Sequence, residues 1–362
     1  MVSGRNGAPD EAGATWRRRL ARLPPESFAL VMATGIVANA IDLVGLGGAA
    51  LLLTWLNLVT YAALCLLYLA RLALFPRRVV ADFVDHRRGP GYFTWVAATS
   101  VLGGQVLLLL GDRPLAVALW WLTAGLWLFV TYGFFAAVTL GRRKPRLDQA
   151  IGGAWLLAVV ATQSVALLAG QLGSTGWGGA DAAFVALCLF LAGGILYLLV
   201  IGLIFYRFTF LPLDAAHLAP PYWINMGALA IATLTGATLL AHRAAEPYWA
   251  ALTPFLLGFT LLFWAFGSWW IPLLVVFGSW RHLVARYPLE YAAEYWGLVF
   301  PLGMYSVASR QLGLHVGVDL LGWVADAFAW LALGAWLLAY GGMWASGFGS
   351  GWGRGRRRPG RR

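Results

Sequence analysis

The chain is short of charge, short of cysteine and almost without ionisable groups inside its apolar stretches. Only 11% of its 362 residues are charged, and only 15 are Asp or Glu. A soluble surface needs far more than that. There are two cysteines, Cys65 and Cys188, each within an apolar run, so no disulfide framework is implied and both read as small core residues. All five histidines fall in expected loops or at the ends of apolar runs, which argues against haem ligation or an intramembrane zinc site; no metal or other cofactor is called for. No HExxH, Walker or GxSxG arrangement occurs, so a metalloprotease, an ATP-driven pump and a serine hydrolase find no support, and the chain does not read as an enzyme. The repeated Asp/Glu pairs of a cation or proton exchanger are missing too.

What is present is hydrophobic: 60% of the residues, with a mean hydropathy of +0.73. The apolar residues come in continuous runs of about 20 or more, unlike the short alternating segments of a membrane barrel. The fold class expected is an all-α integral membrane protein with ten spans, at 27–46, 49–75, 92–110, 115–140, 150–172, 181–206, 222–241, 248–277, 291–311 and 318–343. Residues 1–26 then form a basic N-terminal segment, 27–343 the ten-helix membrane domain and 344–362 a basic tail. The arginines before residue 27 resemble the start of a signal peptide, but the apolar run that follows is too long and has no convincing cleavage site.

Counting Lys and Arg tests this division. Of 26, 23 fall in the two tails and in the loops on one side, and only Arg113, Arg243 and Arg310 fall on the other. The positive-inside rule then puts both termini in the cytoplasm and requires an even number of spans. The net charge of +11 is therefore a topology signal, with no nucleic-acid partner implied.

The spans are of two kinds. The odd ones hold 18 Ser, Thr, Asn and Gln and 4 Trp, the even ones 9 and 11. Polar side chains in a membrane turn inward, whereas bulky aromatics suit lipid and interface. The odd helices are expected around a central pore and the even helices outside, as five helical hairpins repeating every 60 to 70 residues without clear sequence identity. Candidate pore-lining residues are Thr34, Asn39, Gln105, Gln163, Asn225, Thr233 and Ser306.

The stretch Tyr291 to Gln311, YAAEYWGLVFPLGMYSVASRQ, stands apart. Gly297, Pro301 and Gly303 sit mid-span, where they loosen the hydrogen-bond ladder, and a freed carbonyl is tolerated only against protein or a watery cavity. A pore-lining helix kinked near Phe300 at Pro301 and Gly303 is expected. Asp326 lies well inside the tenth span, with Arg310 its expected partner. Glu290 and Glu294 mark the cytoplasmic end of the ninth. A hydroxyl- and amide-lined ring without fixed negative charge, with basic residues at its mouth, suits anions.

PPESFALVMATGIVANA, PPYWINMGALAIATLTGA and YWGLVFPLGMYSVAS together resemble the tellurite-resistance/C4-dicarboxylate transporter family, which includes fungal malate permeases, sulfite efflux pumps and the slow-type anion channels of plants. The resemblance covers about 27–343. It implies ten helices as five hairpins, a homotrimer, and a phenylalanine of the ninth helix plugging the pore, matched here by Phe300. Pro301 directly after it is closer to the dicarboxylate and sulfite branches. The function expected is passage of a small anion, such as a C4-dicarboxylate, sulfite, tellurite or chloride, through a gated central pore in the plasma membrane. The alternatives are proton-coupled export of cationic drugs, for which Asp326 is the available acid, and a membrane-embedded enzyme or scaffold using Asp82, Asp85 and His86 of segment 76–91.

Overall fold

The computed structural model describes residues 16–241, 247–289 and 291–346; Glu290, Arg243 and most of both basic tails lie outside these. The described residues are helical, without a strand. Ten main helices follow in order: α1 Ala29–Asp42, α2 Gly47–Leu74, α3 Phe93–Gln105, α4 Arg113–Leu140, α5 Leu157–Gly173, α6 Gly179–Phe210, α7 Ile224–Ala241, α8 Pro247–Ser279, α9 Trp296–Val316 and α10 Asp319–Ala345. Eight helical segments, containing all of these but α1 and α9, are long and apolar enough to cross a membrane. Helix α1 has only 14 residues, and α9 carries Arg310, Gln311 and His315.

Local chemistry sets the boundaries. The Asp112 side chain caps α4 by accepting from the Leu115 amide at 3.0 Å, with Pro114 in the first turn, where its missing N–H costs nothing. Gly317, with φ of 70°, ends α9 in a left-handed turn that lets α10 begin two residues later.

Burial separates two sets. The segments containing α3, α5 and α7 are 72%, 89% and 89% buried, whereas the even-numbered helices lie between 22% and 44%. Most of α1 and α9 is buried as well. The odd helices touch in a closed cycle, α1 to α3 to α5 to α7 to α9 and back to α1, and each even helix packs on the odd helix before it. Trp55, Trp121, Trp269, Trp323 and Trp330 of the even helices are exposed. Cys188 of α6 is exposed as well, so it is not the core residue the sequence suggested, whereas Cys65 is half-buried.

The inner helices approach closely through small residues. A Cβ on Gly227 of α7 would lie 2.7 Å from Cγ of Pro301 on α9, a rigid ring that cannot rotate away. Gly227→Ala should therefore cost about 1–3 kcal/mol of stability by overpacking, read as an earlier unfolding transition of the purified protein; an unchanged transition would show that α9 yields freely.

Segment 76–91 is more than a charged connection. Pro76–Phe83 forms a helix, and its Asp82 is held by the buried guanidinium of Arg71 and by Arg88 at 2.9 Å. The His86 carbonyl accepts from the Trp155 indole at 2.8 Å.

Candidate functional site

Each odd helix is entered through a single 3-10 turn: Pro25–Phe28, Gly89–Tyr92, Gly153–Leu156, Pro220–Trp223 and Ala293–Tyr295. Proline or glycine begins four of these turns and an aromatic follows in all five. Proline presets φ for a first turn, and the ring anchors the turn on its neighbours. The turns brace one another: a Cβ on Gly153 would sit 2.3 Å from the Pro221 carbonyl oxygen.

All five turns open onto one cavity of about 490 Å³. Its walls descend in three-residue steps: Glu26, Ala29 and Met32 from the first odd helix, Gly91 and Thr94 from the second, Ala154 and Leu157 from the third, Pro221 and Ile224 from the fourth, and Glu294, Gly297 and Phe300 from the fifth. Phe300 is fully buried and Met32 nearly so, and these two side chains form the floor. Pro301 has no N–H to offer the carbonyl of Gly297 four residues earlier, so that carbonyl is left without its helical donor at the cavity wall. Helix α9 nevertheless runs without interruption through Pro301 and Gly303.

Five helix N-termini facing one space concentrate partial positive charge there. Arg207, from the end of α6, adds a full one. It is buried, donates to the Ile151 carbonyl and, at 3.0 Å, to the Tyr222 hydroxyl, and among the described residues has no carboxylate partner. Such a charge in a low-dielectric wall calls for a counter-ion.

The polar residues singled out from the sequence have the following hydrogen-bond partners. Thr34 accepts from the Trp336 indole of α10 at 2.9 Å. Gln105 accepts from Asn57 at 2.7 Å and donates to Thr54 at 3.2 Å, both on α2. Gln163 donates to the Phe190 carbonyl of α6 at 2.9 Å, and Ser306 to the Ala325 carbonyl of α10 at 2.7 Å. Thr233 donates to Leu229 within its own helix. Four of the seven thus tie an inner helix to an outer one. Asn225 differs: it is fully buried, neither side-chain polar atom has a partner, and it follows the cavity-lining Ile224. Asn39 Oδ1 is likewise buried and unpartnered.

At the other end of α9, Arg310 and Asp326 form the expected ion pair, half open to a second cavity of about 470 Å³ that Asp319 also lines. Among the described residues no group of His, Cys, Asp and Glu could hold a metal.

Sequence reasoning passed over Glu26, Met32 and Arg207. A signal for the first two was there: the turn ESFA at 26–29 matches EYWG at 294–297, which puts Glu26 opposite Glu294 and Met32 at the level of Phe300.

Residues 22–344 match the family described as voltage-dependent anion channel. The chain belongs to this family. Two transporters of Methanocaldococcus jannaschii called uncharacterized are 25% and 24% identical to it, over 86% and 87% of this chain and 91% and 90% of theirs. A membrane protein of Mycobacterium tuberculosis strain H37Rv, also called uncharacterized, is 40% identical over 148 residues, 41% of this chain and 75% of that protein. As a voltage-dependent anion channel family member with eight segments able to cross a bilayer, the chain is a membrane transport protein.

Proposed function

We propose that the protein passes small anions through a pore down the centre of the odd-helix ring, with Phe300 as its plug and Pro301 and Gly303 supplying the local freedom that moves it. The observation that carries this reading is the cavity itself: five helix N-termini and the Arg207 guanidinium, which has no carboxylate partner among the described residues, meet in one space whose floor is Phe300. The buried Nδ2 amide of Asn225 offers a donor to a partly dehydrated anion, because buried amide groups without protein partners are uncommon. Ten spans in five hairpins, both termini in the cytoplasm, the cavity as cytoplasmic mouth, the plasma membrane as location and a homotrimer as assembly complete the proposal. C4-dicarboxylates, sulfite, tellurite and chloride are the solutes to offer. Export of cations has lost its best residue, since Asp326 is occupied by Arg310.

The test is a reversal potential in bilayers containing the purified protein, under a gradient of chloride, malate or sulfite salt; a potential at the cation's equilibrium value would refute anion passage. In the same assay Arg207→Gln should raise the half-saturating anion concentration roughly 10–100-fold, the worth of a charged hydrogen bond. Arg207→Lys should stay nearer the wild type, and equal values for all three proteins would remove Arg207 from the path.

A further inference from the structure

Anion-selective entrances rarely carry acids, yet three line this one: Glu26, Asp85 and Glu294. Three arginines, Arg87, Arg88 and Arg207, line it too. With all six ionised the formal charges of the lining cancel, and one proton on a carboxylate leaves an excess of one positive charge. Asp85 is committed to its own loop, accepting from the amides of Arg87 and Arg88 at 2.9 and 2.8 Å. Glu26 and Glu294 have no ion pair among the described residues: they stand on the matching entry turns Pro25–Phe28 and Ala293–Tyr295, which touch, and both side chains reach the cavity above Phe300. Resting on the anion-passage reading, we infer that Glu26 and Glu294 form a proton-binding site of the vestibule, and that anions enter when Glu26 holds the proton.

Geometry favours Glu26 as the proton's position. Its Oε2 lies 3.1 Å from where a Cβ would stand on Gly91, so the carboxyl is pressed onto bare backbone, and only glycine leaves it that place. The groups facing it are unequal. Glu294 lies across from it; from α2 come Tyr68, which is turned to the Pro24 carbonyl, and Arg71, which is spent on Asp82. Arg88 also pairs with Asp82, at 2.9 Å. Arg87, Arg207 and His217 line the cavity further round, and His217 stands 3.7 Å from Asp214. Among the described residues no cation forms an ion pair with Glu26. Burial accordingly pushes its carboxyl above the ordinary range, and the charges of Glu294 and Asp82 push the same way against its own backbone hydrogen bond and Arg88. A raised pKa keeps the proton bound at pH values where an exposed carboxylate has lost it. Passage therefore rises as the pH on the vestibule side falls.

The experiment is anion flux into proteoliposomes at subsaturating malate and, separately, chloride, over a series of vestibule-side pH values. Wild-type flux should rise roughly tenfold from alkaline to acid pH, the effect of one unit charge near the path at protein-like dielectric. Glu26→Gln should be fast and flat across the series. Glu294→Gln should move the midpoint to lower pH, because it removes a repelling charge. His217→Gln, which deletes the imidazole of the lining, should leave the pH midpoint of the wild type in place whatever it does to the absolute flux. A wild-type pH response that survives in Glu26→Gln, or one abolished in His217→Gln instead, overturns the inference while leaving anion passage standing. Absence of flux from the wild type and from Phe300→Ala alike overturns both. A second readout is independent of flux: infrared difference spectra of the solubilised protein should show a protonated carboxyl band that disappears on alkalinisation and is missing from Glu26→Gln; its persistence in that variant counts against the site.

Discussion

Phe300→Ala should raise anion flux roughly 10–100-fold over the wild type in proteoliposomes, with selectivity for anions over cations retained. The ring is fully buried at the floor of the vestibule. A buried aromatic across a narrow path excludes water, and an ion that cannot keep or replace its hydration shell meets a barrier of a few kcal/mol, of which each 1.36 kcal/mol is a factor of about ten in rate. Truncation to a methyl group removes that barrier without touching Arg207 or the helix N-termini, which on the proposed reading set the sign of the permeant ion. The neighbouring Met32 shares the floor, so Met32→Ala should open the path less, because an unbranched thioether leaves the way more easily than a ring. Equal flux in the wild type and Phe300→Ala, both measurable, would keep transport and remove Phe300 as its plug.

Asp82→Asn should be the most damaging change to stability outside the ring, costing about 3–5 kcal/mol in reversible unfolding. The Arg71 side chain is 1% exposed and that of Asp82 10%. Among the described residues the Nε and Nη1 of Arg71 have no hydrogen-bond partner, and besides Asp82 its Nη2 reaches the Ala21 carbonyl at 3.5 Å. Without the carboxylate the guanidinium is a buried, nearly unsolvated charge. The double change Arg71→Met with Asp82→Leu should recover much of the loss, since a buried pair replaced by apolar groups of similar size is close to neutral. A loss in Asp82→Asn below about 1 kcal/mol would mean that water reaches Arg71. Because Asp82 also holds Arg88 of the vestibule, the single variant should alter flux as well, and the double variant should restore stability without restoring the flux.

The division into helices was legible in the sequence to within a few residues. The expected spans 49–75, 115–140 and 222–241 correspond to Gly47–Leu74, Arg113–Leu140 and the segment Pro220–Ala241. Length and hydropathy are properties of a stretch of chain, and a bilayer-sized apolar run has few alternatives to a helix. The separation of odd from even helices was legible for the same kind of reason: polar side chains and exposed tryptophans distribute by the medium they face, and composition records the medium. What the polar residues do was not legible. Thr34, Gln105, Gln163 and Ser306 belong to the inner helices as counted, yet each is hydrogen-bonded to an outer helix: Thr34 accepts from Trp336 and Gln105 from Asn57, while Gln163 donates to the Phe190 carbonyl and Ser306 to the Ala325 carbonyl. A polar residue in an apolar helix announces that it needs a partner and says nothing of which.

The class of the molecule, its helices, which five of them are the more deeply buried, and the peculiarity of the segment around Phe300 could be read from the chain alone, because all of these follow from local hydropathy, glycine and proline content and charge bias. Only the tertiary structure decided that Glu26 and Glu294 share a cavity across 268 residues of chain, that Arg207 from the end of an outer helix enters it, and that Phe300 closes it. Those facts depend on the closed cycle of five helices bringing their entry turns to one end, and closure is a relation among segments distant in sequence that no single segment carries.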